Sequence, residues 1–294
     1  MPHQLRSGRG RPFGFPGRAL WRRRLGLASC LLLALGSTPQ AQDRAAIGAL
    51  PQGSAREVLD AVQQAQLGAI GRLAASPGGA HCTATLIAPD LVLTAAHCLS
   101  APAKGWVAPA YRVQFRPGYR EGHSPAVLSG AALVLGQDYE RTAMLSEDLA
   151  LLRLKTPVPQ DLIQPIPVGT EPLLRGRDLS IYSYGYDVAE VLSRETGCRA
   201  LAALHGAMVT TCEAVGGVSG APVIALDGAG RPRVAGIVSS RLKRQGETAP
   251  FGRAVVVPVD AARISVLAHR LVPSTMVARG NGPLYPAGGS GDGG

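Results

Sequence analysis

The sequence predicts an all-β protein built from two packed barrels or sandwiches and ending in a C-terminal helix. Short apolar runs rich in Val, Leu, Ile and Tyr follow one another from Ile70 onward, divided by Pro and Gly, with no βαβ alternation. The 294 residues exceed a usual single domain, so two domains of about 100 residues each are expected once processed ends are removed. With 37 Gly and 23 Pro beside 46% hydrophobic and 17% charged residues, the chain reads as globular and rich in turns, not in long helices.

The elements follow in chain order. Seven arginines up to Arg24 precede the apolar run Leu25 to Leu35 and then Gly36-Ser37-Thr38-Pro39-Gln40-Ala41, the three-part pattern of a secretory signal peptide over 1–41. Leu27-Ala28-Ser29-Cys30 resembles a lipobox, but apolar residues continue past Cys30. Arg22-Arg23-Arg24-Leu25 fits a twin-arginine export signal as well as an ordinary one. The apolar run is too short for a stable bilayer anchor, and no later run reaches about 18 apolar residues. Residues 42–67 read as an N-terminal extension or propeptide. Within them Ser54-Ala55-Arg56-Glu57 has capping-box spacing before Val58, Leu59, Val62 and Leu67, which predicts a short helix over 55–66.

Strands are predicted at Thr83 to Ala88, Leu91 to Ala95, Ala131 to Leu135 and Leu149 to Leu154. The proline-rich tract from Leu154 to Pro167 suits a linker between two domains, 68–160 and 161–272. Further strands are expected at Leu179 to Tyr184, Ala207 to Thr211, Pro222 to Leu226, Val234 to Ser239 and Ala254 to Val257. Asp260 is an N-cap before Ile264, Leu267 and Leu271 at helical spacing, predicting a helix packed on the second domain. Residues 273–294 carry too little apolar surface to offset ordering and predict a disordered tail.

The net charge of +10 is concentrated at the N-terminus. Without the seven early arginines, the 30 basic residues fall to 23 against 20 acidic ones, and no basic stripe with aromatics remains, which sets nucleic-acid binding aside. Export places Cys82, Cys98, Cys198 and Cys212 in an oxidising compartment, where an even count suggests two disulfides. Of three connectivities, Cys82 with Cys98 and Cys198 with Cys212 close short local loops and are favoured. Zinc is the weaker reading, because no Cys-x-x-Cys spacing is present.

Three segments carry chemistry. Thr94-Ala95-Ala96-His97-Cys98 follows an apolar strand, so His97 sits at a strand end, fixed as a general base must be. Asp148 opens the apolar run Leu149 to Leu152, where a partly buried carboxylate can accept from a histidine ring. In Gly216-Gly217-Val218-Ser219-Gly220-Ala221-Pro222, glycines flank a serine and permit the N–H groups of Gly217 and Ser219 to converge as an oxyanion hole. Taken singly, each has a plain alternative: a structural His, a solvated loop acid, a tight turn.

Together, the order His97, Asp148, Ser219 and the words around them resemble the chymotrypsin-like serine peptidase family over about residues 68 to 270. Gly236-Ile237-Val238-Ser239 also resembles the strand lining that family's substrate cleft. The resemblance implies two antiparallel six-stranded β-barrels, the first bearing His97 and Asp148, the second Ser219 and the C-terminal helix. It further implies a secreted or periplasmic monomeric endopeptidase acting on protein or peptide, with no metal or organic cofactor, in which Ser219 attacks, His97 transfers the proton and Asp148 orients it.

Departures matter as well. Val218 stands where many animal members carry an Asp that pairs with a new N-terminus, so that switch cannot operate, and the serine motif resembles bacterial glutamyl-endopeptidase-like members. Ala221 replaces the usual Gly or Ser, and Ser240-Arg241 replaces a common Trp-Gly pair. Glu213 falls at the base of the expected substrate pocket, with Ser239 and Arg241 beside it, which favours Arg or Lys before the scissile bond. Two alternatives oppose that: a slipped alignment making Glu213 structural, or Arg241 neutralising it and favouring acidic residues. A catalytically inactive binding protein on the same fold is the competing function. An α/β-hydrolase esterase fails for want of Gly-x-Ser-x-Gly and the matching triad order.

Overall fold

The computed structural model describes residues 48–243, 248 and 251–271. The expected signal peptide with Cys30 and the expected tail lie outside the described residues. The first strand, β1 (Glu57–Val58), is followed by a closed antiparallel barrel of β2 (Ile70–Ala74), β3 (His81–Ala88), β4 (Leu91–Thr94), β7 (Gln114–Pro117), β8 (Leu128–Leu135) and β9 (Ala150–Leu154). A short pair, β5 (Ser100–Ala101) and β6 (Trp106–Val107), decorates it. The barrel's strand order is β2-β3-β4-β9-β8-β7. Alternation sets the inner face: along β8, Gly130, Ala132 and Val134 are buried while their neighbours are partly exposed.

The second barrel contains β10 (Asp178–Ser183), β11 (Ser193–Leu204), β12 (Ala207–Ala214), β13 (Pro222–Leu226), β14 (Pro232–Leu242) and β15 (Gly252–Pro258). Its order β11-β10-β13-β14-β15-β12 closes through the β11–β12 pairing, and β1 adds to the edge of β11. The second half was only partly legible. β11 was not foreseen, because its buried positions are Ser193, Glu195, Cys198 and Ala200, which give no apolar alternation. Both favoured disulfides are present, Cys82–Cys98 and Cys198–Cys212.

Two expectations are corrected. The helix expected over 55–66 is only Ala61–Ala65, and its capping box is Asp60 with Gln63, not Ser54 with Glu57. Glu57 and Val58 instead pair with Arg194 and Ser193, and the Ser54 hydroxyl donates to Glu213. The C-terminal helix, Ala261–Ala268, does start on Asp260, whose side chain accepts from the Arg263 N–H. It packs on the first barrel, however: Ile264, Leu267 and Leu271 join a core with Val134, Leu135 and Leu149. Arg263 donates to the Ser146 carbonyl and pairs with Glu147 at 3.3 Å. The helix thereby holds the turn that delivers Asp148.

Candidate active site

His97 and Asp148 meet because their strands are neighbours. β4 and β9 pair with Thr94 opposite Ala150, so the residues just past the end of β4 and just before the start of β9 emerge together. His97 lies on a single helical turn, Ala96–Cys98, anchored to β3 through the Cys82–Cys98 disulfide. Asp148 follows the turn Leu145–Glu147. The His97 backbone N–H donates to Asp148 Oδ1 at 2.9 Å, and Nδ1 lies 2.7 Å from Oδ2. The Ser239 hydroxyl donates to the same Oδ2.

This buried carboxylate is fully engaged. Burial alone would raise its pKa, but the hydrogen bond and charge of His97, with the Ser239 hydroxyl, outweigh it and hold Asp148 below its ordinary value. An ionised Asp148 keeps the imidazole proton on Nδ1 and leaves Nε2 as an acceptor. The phenol of Tyr139 is buried beside the carboxylate; desolvation first and the Asp148 charge second push its pKa up, so it stays neutral.

The serine turn is fixed from the first barrel. The Thr83 N–H donates to the Ser219 carbonyl at 2.8 Å, and the Thr83 hydroxyl donates to the Gly217 carbonyl at 3.1 Å. Gly220, at φ +76°, abuts this contact: a Cβ there would lie 2.1 Å from Thr94 Oγ1 and 2.3 Å from the Thr83 carbonyl, so only glycine fits. Gly217 is at φ +87°. Neither its N–H nor that of Ser219 donates to a described protein acceptor, which leaves both free for an anion. Val218 is buried in the second core, in keeping with an apolar residue on this turn. Among the described residues no hydrogen bond joins Ser219 to His97, whose Nε2 lies 4.0 Å from Cys98 Sγ. Catalytic hydrogen bonds of this kind are often loose without substrate.

The expected pocket residues sit differently. Glu213 is buried, but its oxygens accept from the Ser54 hydroxyl and the Ala55 N–H, each at 2.6 Å, and face Arg56 Nε at 3.5 Å. It therefore does not present a free carboxylate to a basic substrate. Arg241 is exposed and makes no ion pair with Glu213; the cation at Glu213 is Arg56. The Ser239 side chain turns to Asp148 instead of the cleft. Arg56, Asp187, Thr83 and Tyr139 were not singled out from sequence, since each is a common residue whose partner lies far along the chain.

Strand order and closure of both barrels define the chymotrypsin-like fold, with a His–Asp pair and a glycine-flanked serine where the barrels meet. The Trypsin family model matches residues 60–264, and the chain belongs to that family of serine-type peptidases. Among solved structures it is similar to a Glu endopeptidase in complex with MPD, at 18% identity and a TM-score of 0.61, covering 75% of this chain and 98% of that one. Protease Anisep from Arthrobacter nicotinovorans is 19% identical, with a TM-score of 0.56 over 72% and 96% of the two chains. A thermostable serine protease, AL20, from an extremophilic microorganism is 24% identical, with a TM-score of 0.57 over 69% and 95%. No curated protein matches the chain.

Proposed function

We propose that this protein is an exported serine endopeptidase that cleaves peptide bonds through an acyl-enzyme on Ser219. The observation that carries the proposal is the 2.7 Å contact between His97 Nδ1 and a buried, fully hydrogen-bonded Asp148, set beside the serine turn. His97 Nε2 takes the Ser219 proton as Oγ attacks the carbonyl, then gives it to the leaving amine. Water repeats the sequence and releases the acid. The N–H groups of Gly217 and Ser219 hold the oxyanion, at roughly 3 to 4 kcal/mol per donor. The Ser219 hydroxyl must close on His97 when substrate binds.

An extended chain suits the cleft. β13 pairs with β14 as far as Pro222 opposite Ile237, and beyond it β14 is paired only with β15. Residues 239–242 thus have an edge with no strand paired beside it, next to Asp148 through Ser239, where a peptide can add as a strand. Because Glu213 is occupied, no preference for Arg or Lys follows from it. Export rests on the N-terminal pattern and agrees with two disulfides. No described helix is long and apolar enough to cross a membrane. Turnover of a protein substrate by Ser219→Ala and His97→Ala tests the mechanism: each should fall by several orders of magnitude in folded protein. Near-normal turnover by either would leave the inactive binding protein as the better reading.

A further inference from the structure

The segment ahead of the first barrel makes a buried ionic contact with the loops that shape the serine site. Gly48 lies against the Asp187 carbonyl, where a Cβ would approach to 2.1 Å. The Arg56 side chain is 2% exposed. Its Nη1 donates to Asp187 Oδ1 at 3.2 Å and its Nη2 to Oδ2, a two-point pair, while Nε faces Glu213. A Cβ on Gly185 would lie 2.8 Å from Arg56 Nη1 and 2.8 Å from Val215, so the guanidinium fills the space between the two loops. Leu59, fully buried, donates its N–H to the Leu192 carbonyl.

From Asp187 the contact reaches the oxyanion loop directly. The neighbouring Tyr186 donates its N–H to the Gly216 carbonyl at 2.8 Å, and its hydroxyl donates to the His81 carbonyl at 3.2 Å. Its ring closes over both glycines: a Cβ on Gly216 or on Gly217 would each lie 2.7 Å from it. The Gly216 carbonyl orientation fixes the next peptide plane, which carries the Gly217 N–H. Arg56, Asp187, Tyr186 and Gly216 therefore form one physical chain ending at the oxyanion donor.

We propose that Arg56 is a positioning residue, a built-in cation that orders the 185–187 and 215–217 loops, and that residues 54–60 are a retained part of the working enzyme. This rests on the proposed acyl-enzyme function of Ser219. An uncompensated buried carboxylate would draw water into the loop, so losing Arg56 releases Asp187 and with it the Gly217 N–H. Cleavage beyond Arg56 then inactivates the enzyme.

The test compares Arg56→Ala, Arg56→Lys and Asp187→Asn in the full chain, reading kcat, KM and affinity for a peptide aldehyde, which binds as a tetrahedral oxyanion. Arg56→Ala and Asp187→Asn should each lower kcat and aldehyde affinity about 100-fold with KM within about threefold, and the double variant should lose no more than either single one. Arg56→Lys should recover part of the loss, as one point charge replaces a two-point donor. Folded variants within about threefold of wild type in kcat, or changed only in KM, would overturn the proposal. N-terminal sequencing of active enzyme gives a second readout that needs no variant: residues 54–60 should be present, and an active form beginning after Arg56 would overturn it too. Wild-type protein that no fluorophosphonate labels removes the acyl-enzyme function and this inference together. Normal wild-type labelling with unaffected variants removes only the inference.

Discussion

Asp148→Asn is the perturbation that separates orientation from charge at the site. Asp148 Oδ2 receives both His97 Nδ1 and the Ser239 hydroxyl, while Oδ1 receives the His97 backbone N–H at 2.9 Å. An amide has one oxygen, so one set of donors must face an NH2 group. If Oδ1 stays an oxygen, the amide opposes Nδ1–H, and the imidazole moves its proton to Nε2 to accept instead. His97 then presents a donor to Ser219 and cannot take its proton. A wrong tautomer of this kind costs about 10⁴ in kcat in the best-studied triad, or about 5.4 kcal/mol at about 1.36 kcal/mol per tenfold. Size and backbone contacts are retained, so the variant should fold. The assay is steady-state peptide hydrolysis with circular dichroism as the folding control. A folded variant within about tenfold of wild-type kcat would refute the role given to Asp148.

Three further outcomes follow from the fold. Replacing Cys82 and Cys98, or Cys198 and Cys212, by Ser should each lower stability by about 3 kcal/mol in denaturant titration, since each bridge closes a loop of about 15 residues; free thiols or crossed pairs in non-reducing peptide maps would contradict the pairing. Glu195, buried on β11, has its pKa pushed up to about 7, chiefly by desolvation. Its folded value exceeds its unfolded value, so the native state binds more protons and stability falls as pH rises from about 4.5 to 7. Screening at its partly open edge limits the loss to about 1 to 2 kcal/mol, and Glu195→Gln should flatten that slope in urea titrations at pH 5 and 8. Asp148 is lowered, so its contribution is present above the ordinary carboxylate pKa and is lost on acidification through its lower folded value; wild type should lose more stability than Asp148→Asn between pH 5 and 2.

What the sequence revealed depended on whether the signal was local. β4 and β9 were readable because Leu91 to Leu93 and Leu149 to Leu152 are apolar runs, and their pairing brings His97 to Asp148. The glycines around Ser219 were readable because a turn at positive φ demands them at Gly217 and Gly220. β11 was hidden, since Ser193 and Glu195 face inward where an apolar residue is expected. Glu213 was misplaced because its partners, Ser54 to Arg56, lie nearly 160 residues away and no periodicity reports such a contact. The C-terminal helix was found from its cap and spacing, but those features say nothing of which barrel receives Ile264 and Leu267.

The nucleophile itself is the most direct point of test. Purified protein treated with a fluorophosphonate and mapped by mass spectrometry should carry one adduct, on Ser219, with loss of peptide hydrolysis in step with labelling. Ser219→Ala should take up no label, and His97→Ala should label orders of magnitude more slowly because no base removes the hydroxyl proton. Hydrolysis by the wild type that continues with Ser219 fully labelled, or wild-type protein that stays unlabelled, would contradict a serine mechanism at this site.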